Sequence, residues 1–186
     1  MRPGGMTAAS SNMGLLEQFE QQAVAAAATV ERIPRSSAQI AAAVARLAPS
    51  DSRIAIADSQ DLPAELLQDC RRLPGVFAGR GRSELAAADI GVTEAFAGVA
   101  RTGSLCVTVD AGHIGAVSLL SRWHVAVLAA EAIVERPADL FRPDRLNGKG
   151  LARNFVFITG PSATADMGPL VRGVHGPHLL HILLLC

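Results

Sequence analysis

Asn154-Phe155-Val156-Phe157-Ile158-Thr159-Gly160-Pro161-Ser162-Ala163-Thr164-Ala165-Asp166, followed shortly by Gly173-Val174-His175-Gly176-Pro177, is the stretch whose reading decides the fold. Its β-branched and aromatic run from Phe155 to Ile158 stops at Gly160-Pro161, the pattern of a buried strand running out into a loop. Ser162, Thr164 and Asp166 then place two hydroxyls and a carboxylate where the carboxyl end of a strand in an open α/β sheet presents groups to a ligand. A functional site is expected there.

The rest of the composition suits such a domain. The 186 residues are 49% hydrophobic and 18% charged, with 17 basic and 17 acidic side chains and a formal net charge of zero. That balance describes a compact globular chain rather than a disordered one. It also lacks the basic footprint needed to neutralise nucleic-acid phosphates. Cys70, Cys106 and Cys186 are far apart and include no Cys-x-x-Cys pair, so the chain offers no clamp for zinc or an iron–sulfur cluster. Reduced thiols are expected, with Cys106 a buried, inert one. Residues 1–13 read as a disordered tail without the apolar region of a signal peptide. The apolar window at residues 116–134 contains Arg122, His124 and Glu131, too many polar groups for a membrane span.

Working outward along the chain, Leu15, Leu16, Phe19 and Val24 recur at helical spacing and predict a helix over residues 15–28. Pro34 interrupts it. Ser36 or Ser37 caps a second helix carrying Ile40, Val44 and Leu47, which Pro49 ends. Residues 53–57 predict a strand and residues 62–67 a short helix. Further strands are expected at 89–92, with Thr93 and Glu94 at the end, at 104–109, at 124–129 continued along its edge by 131–134, and at 182–185. Short helices are expected at 115–120 and 137–141. Near-continuous apolar strands alternating with helices predict an open, largely parallel α/β sheet flanked by helices. Two glycine-rich segments fail as phosphate loops: Glu84 replaces the third glycine of Gly-x-Gly-x-x-Gly, and Gly150 replaces the Ser or Thr of a Walker loop.

Gly103, before a β-rich run, marks a tight turn or a close backbone approach. A turn whose tip faces the same crevice as Gly160 accounts for both glycines, and a plain β-turn accounts for Gly103 equally well. In the first case the hydroxyls of Thr102, Ser104, Ser162 and Thr164, with glycine-flanked N–H groups, form a nest for an anion. His124 opens an apolar strand and reads as a satisfied core or rim histidine. His175 stands between Gly173 and Gly176, where an imidazole serves as acid, base or anion donor, or else ties down the turn. His175, His178 and His181 are spaced by three, yet Pro177 breaks the helix that zinc ligation would need, and no metal is expected. Ser162, Asp166 and His175 make a poor serine triad, because the Gly-x-Ser-x-Gly elbow is absent and Pro161 lacks an N–H.

Five segments, Asp89-Ile90-Gly91-Val92-Thr93-Glu94-Ala95, Thr102-Gly103-Ser104, His124-Val125-Ala126-Val127, the 159–166 loop and Gly173-Val174-His175-Gly176-Pro177, resemble in the same order the signature segments of the LUD-domain family, particularly its lactate-utilization members. The resemblance covers most of residues 29–186. It implies a fold similar to the NagB/RpiA/CoA-transferase group and a place beside iron–sulfur and oxidoreductase partners in the oxidation of L-lactate to pyruvate. The chain departs from the family pattern at Arg101, where Glu is usual, at Ala163, where Arg or Lys is frequent, and around Met167-Gly168, where an acidic residue is missing. The resulting expectation is one LUD-like domain over residues 14–186 with N-terminal helices, cytoplasmic, holding no cofactor itself, with iron–sulfur clusters in partner subunits. It would act as an accessory or ligand-binding component. The alternative is an independent enzyme of CoA-transferase-like or isomerase-like type acting on a small anionic or phosphorylated metabolite. Candidate acid–base groups are His175, Asp166 and Glu94, and candidate ligand contacts are Thr102, Gly103, Ser104, Gly160, Ser162, Thr164 and Gly176.

Overall fold

Long, predominantly apolar runs favour burial on both faces, and the two strongest lie side by side within the sheet. A computed structural model describes residues 8–79, 81–109, 113–142, 154–165 and 168–186. Strand β6 (Trp123–Ala129) lies between β11 (Leu179–Leu185) and β3 (Ile90–Ala95), and the five-stranded sheet is completed by β1 (Thr29–Ile33) beside β11 and β2 (Ile54–Ile56) beside β3. All four pairings are parallel. Alternation along each strand sends side chains to two cores. Ala126, Leu128, Ile182 and Leu184 pack with Phe19, Leu105 and Ile114. Val125, Val127, Leu183 and Leu185 pack on the other face with Ile40, Val44 and Leu67.

The second face is covered by α2 (Ser37–Leu47) and by 3₁₀ turns at Ala64–Leu67 and Cys70–Arg72. Ser36 is the N-cap residue of α2 but its hydroxyl makes no capping bond, whereas the Ser37 hydroxyl accepts the Asp69 N–H at 3.0 Å. The first face meets α1 (Ala8–Ala25), α3 (Arg82–Ala86), α4 (Ile114–Leu120) and a second, four-stranded sheet. That sheet has the order β7-β4-β5-β8, built from β4 (Ala97–Val99), β5 (Ser104–Thr108), β7 (Ile133–Val134) and β8 (Phe155–Ile158). A hairpin of β9 (Ala163–Thr164) and β10 (Val171–Arg172) stands apart from both sheets.

Several expectations change. α1 begins at Ala8, so the helix reaches into residues expected to be a tail, and it ends at Ala25, leaving room for a strand, β1, that residues 29–33 did not announce. Thr-Val-Glu-Arg-Ile carries three polar residues because β1 is an edge strand with a partly wet face. Residues 131–134 do not extend β6: a 3₁₀ turn at Ala130–Ala132 redirects the chain, and β7 pairs with β4 in the other sheet. β8 is not a buried parallel strand. It runs antiparallel to β5 at the edge of the four-stranded sheet, with Val156 41% and Phe157 43% exposed.

Cys70 and Cys106 are buried without a disulfide, and burial pushes their thiols up to about 11 and about 12, while Cys186 is exposed. None of the described helices is long and apolar enough to cross a membrane.

The four-stranded sheet is locked to the end of α1 by glycine. Gly103 has φ +63°, and a Cβ there would collide with the backbone of Gln22 and Ala23; Gly160 has φ +72°, and its Cβ would strike the carbonyl of Ala26. Close approach of the last turn of α1 explains Gly103, and that of the residue just after the helix explains Gly160. Gly103→Ala is therefore expected to lose about 2–4 kcal/mol in urea denaturation, combining left-handed strain with overpacking. Gly14→Ala, in α1 with nothing within 4 Å, should gain about 0.5–1 kcal/mol.

Candidate functional site

The loop after β8 and the Gly-Val-His-Gly-Pro segment meet. Ser162 N–H donates to the Pro177 carbonyl at 2.9 Å, and Gly173 N–H donates to the Ser162 carbonyl at 2.9 Å. Farther along, His178 N–H donates to the Arg122 carbonyl at 2.8 Å, which anchors the segment just before β6. Together these segments wall a cavity of about 390 Å³ between β8, α4 and the amino ends of β6 and β11. Its polar lining is His124, His175, Ser162, Thr159 and Ser118; Gly160 and Gly176 complete the turns. Its apolar lining includes Val109, Leu119, Val156, Phe157 and Leu180.

The site therefore lies at the amino ends of the central parallel strands, not at their carboxyl ends. The reason is β8, which closes the cavity from the second sheet. Gly91 pairs across from His124, and its missing side chain lets the end of α4 pack directly on β3 through the Val117 carbonyl and Ser121.

His124 is the residue that the sequence undervalued. It is 1% exposed, its Nε2 lies 2.8 Å from the Thr93 hydroxyl, and its Nδ1 has no partner. Burial lowers its pKa to about 4, so the ring is neutral at physiological pH and serves as a neutral hydrogen-bonding group rather than a cation. The signal that could have found it is positional. In a strand buried on both faces, a titratable side chain has to be given a partner or a cavity, which marks it out from its apolar neighbours.

The remaining candidates divide. Gly160, Ser162, His175 and Gly176 line the cavity. Thr102, Gly103 and Ser104 do not. The Thr102 and Ser104 hydroxyls are 2.7 Å apart, and Ser104 is 2.7 Å from the hydroxyl of Thr159, so a chain of hydroxyls runs to the cavity wall while satisfying itself. Thr164 pairs with Val171 in the small hairpin. Asp166 lies outside the described residues. Glu94 sits on the opposite face of β3 from Thr93, buried, and its carboxylate accepts the Ser59 hydroxyl at 2.6 Å and the backbone N–H groups of Gln60, Asp61 and Leu62. That saturated carboxylate organises the loop after β2. The histidines at 175, 178 and 181 diverge: the His178 ring lies against Gly173, and His181 in β11 is 2.7 Å from the Thr29 hydroxyl. Among the described residues no group of three His, Cys, Asp or Glu could hold a metal.

A model of the LUD domain matches residues 16–185. The chain belongs to the LUD-domain family. Lactate utilization protein C of Shouchella clausii (strain KSM-K16) is 37% identical over 93 residues, 48% of this chain and 41% of that protein. The protein of the same name from Bacillus subtilis (strain 168) is 36% identical over 95 residues, 48% of this chain and 39% of that one. The matched segment thus spans about two fifths of each curated relative's length. The crystal structure of a DUF162 family protein from Deinococcus radiodurans superposes with a TM-score of 0.70 at 19% identity, covering 94% of this chain and 98% of that one. This likeness shows the LUD fold.

Two measurements check the site's electrostatics. Unfolded histidine protonates near 6.5, whereas His124 in this LUD domain stays neutral to about 4. The unfolded state binds more protons between those values, so stability is full above about pH 6.5 and falls as pH drops toward 4. Urea denaturation at pH 7 and 4 should show a loss from this group on the order of 3 kcal/mol, missing from His124→Gln. Glu94→Gln should cost about 3 kcal/mol at pH 7, because an amide NH₂ then faces buried donors, and should leave the distant cavity's ligand affinity unchanged.

Proposed function

We propose that this chain is a ligand-binding accessory component of lactate utilization, working in the cytoplasm beside iron–sulfur oxidoreductase partners in the oxidation of L-lactate to pyruvate. The observation that carries the reading is its similarity to two proteins named lactate utilization protein C, within a family match over residues 16–185. The cavity behind β8 supports the ligand-binding part. It is concave, mostly apolar and carries a few convergent polar groups, the usual make-up of a small-molecule site.

The alternative of an independent enzyme for anionic or phosphorylated metabolites gains nothing from the cavity, whose described lining has no Arg or Lys. A role beside partners also suits a chain with free, widely separated cysteines, since electrons would have to pass through clusters held elsewhere.

Deleting the gene in its native host should abolish growth on L-lactate as sole carbon source while leaving growth on glucose intact. An affinity-tagged copy that restores growth should retain iron–sulfur proteins on purification. Normal growth of the deletion strain on L-lactate would overturn the proposal.

A further inference from the structure

We infer that the cavity accepts a neutral molecule with an apolar body and a carbonyl oxygen, and that the Nδ1–H of His124 donates to that oxygen. The inference deepens the ligand-binding reading above and rests on it. Its core is an account of two hydrogens. Thr93 is fully buried, and the only acceptor its hydroxyl has among the described residues is His124 Nε2 at 2.8 Å. A buried hydroxyl that donates nowhere loses a hydrogen bond it had in water, so Thr93 donates and Nε2 accepts. A neutral imidazole with a bare Nε2 carries its hydrogen on Nδ1.

Nδ1 is buried and unpartnered, in a ring that lines the cavity. The opposite tautomer would strand two groups, the Thr93 hydrogen and the Nδ1 lone pair. The tautomer chosen strands one donor, for which the described residues hold no acceptor, and a ligand in the cavity supplies one. Burial, which keeps the ring uncharged, agrees with this geometry.

The surroundings narrow the acceptor further. Val109, Leu119, Val156, Phe157 and Leu180 form an apolar wall, and the described lining carries no charged side chain. A carboxylate or phosphate would shed its hydration there without a cation in exchange, whereas a ketone-type carbonyl needs one donor and suits an apolar wall. Ser162 and His175 line the same cavity and are more exposed, so they lie toward its mouth.

The test uses the full chain labelled with ¹⁵N-histidine and three probes of one shape: acetophenone, ethylbenzene and benzoate. Long-range ¹H–¹⁵N spectra should show His124 as the neutral Nδ1–H tautomer, with its Nδ1 resonance moving on addition of acetophenone. Acetophenone should bind about tenfold more tightly than ethylbenzene or benzoate. That preference should shrink in His124→Gln and in Thr93→Val, the second keeping the imidazole but losing the hydroxyl that sets its tautomer. An Nε2–H tautomer, equal binding of ethylbenzene, tighter binding of benzoate or no binding of acetophenone would each overturn the inference. The growth test on L-lactate is independent of all these outcomes, so the two proposals fail separately.

Discussion

β6 is the constraint to which the rest of the structure answers. It is hydrogen-bonded along both edges, to β11 and to β3, and all but its first residue are buried. Such a strand has no wet side on which to place a polar group, so every residue in it must be apolar or be provided for. Six of its seven residues are apolar. His124 is provided for by Thr93 on one nitrogen, and its ring forms part of the cavity wall. The same alternation that sends Val125 and Val127 toward α2 sends His124 toward α4 and β8.

The second sheet closes a cavity over one end of this buried strand. Its own position is set where Gly103 and Gly160 admit the end of α1, and from Gly160 the chain folds back through Ser162 to meet residues 173–177. The cavity is thus bounded by two independent units, a parallel sheet that supplies a buried imidazole and an antiparallel edge strand that supplies the cover. Neither unit encloses it alone. The hydroxyls of Thr102, Ser104 and Thr159 serve the junction by bonding to one another.

The parallel sheet was legible because unbroken apolar runs, such as those of β6 and β11, have no other use in a domain of this size. The antiparallel sheet was not. Its strands β4 and β7 are three and two residues long, too short to show a period, and β8 reads as a core strand because Phe155, Val156, Phe157 and Ile158 are all apolar although two of them are substantially exposed. The loop residues Gly160, Ser162, His175 and Gly176, singled out by their local chemistry, line the cavity. Glu94 was misleading because a carboxylate capping backbone N–H groups and a carboxylate awaiting a proton look alike in sequence, and only the donors from residues 59–62 separate them. The setting of His124 was not legible because it depends on Thr93, a hydrogen-bonding partner brought to it by the pairing of β3 with β6.

The placement of β11 governs how the molecule can assemble. It enters between β1 and β6, so that Thr29 stands opposite His181, 152 residues away along the chain. Until that segment arrives, β1 and β6 each present a bare hydrogen-bonding edge, and the sheet is split where its core should be densest. Pairing over such sequence distances must close a very long loop before any contact rewards it, which makes folding slow. β11 is thus the strand through which β1 joins the rest of the sheet.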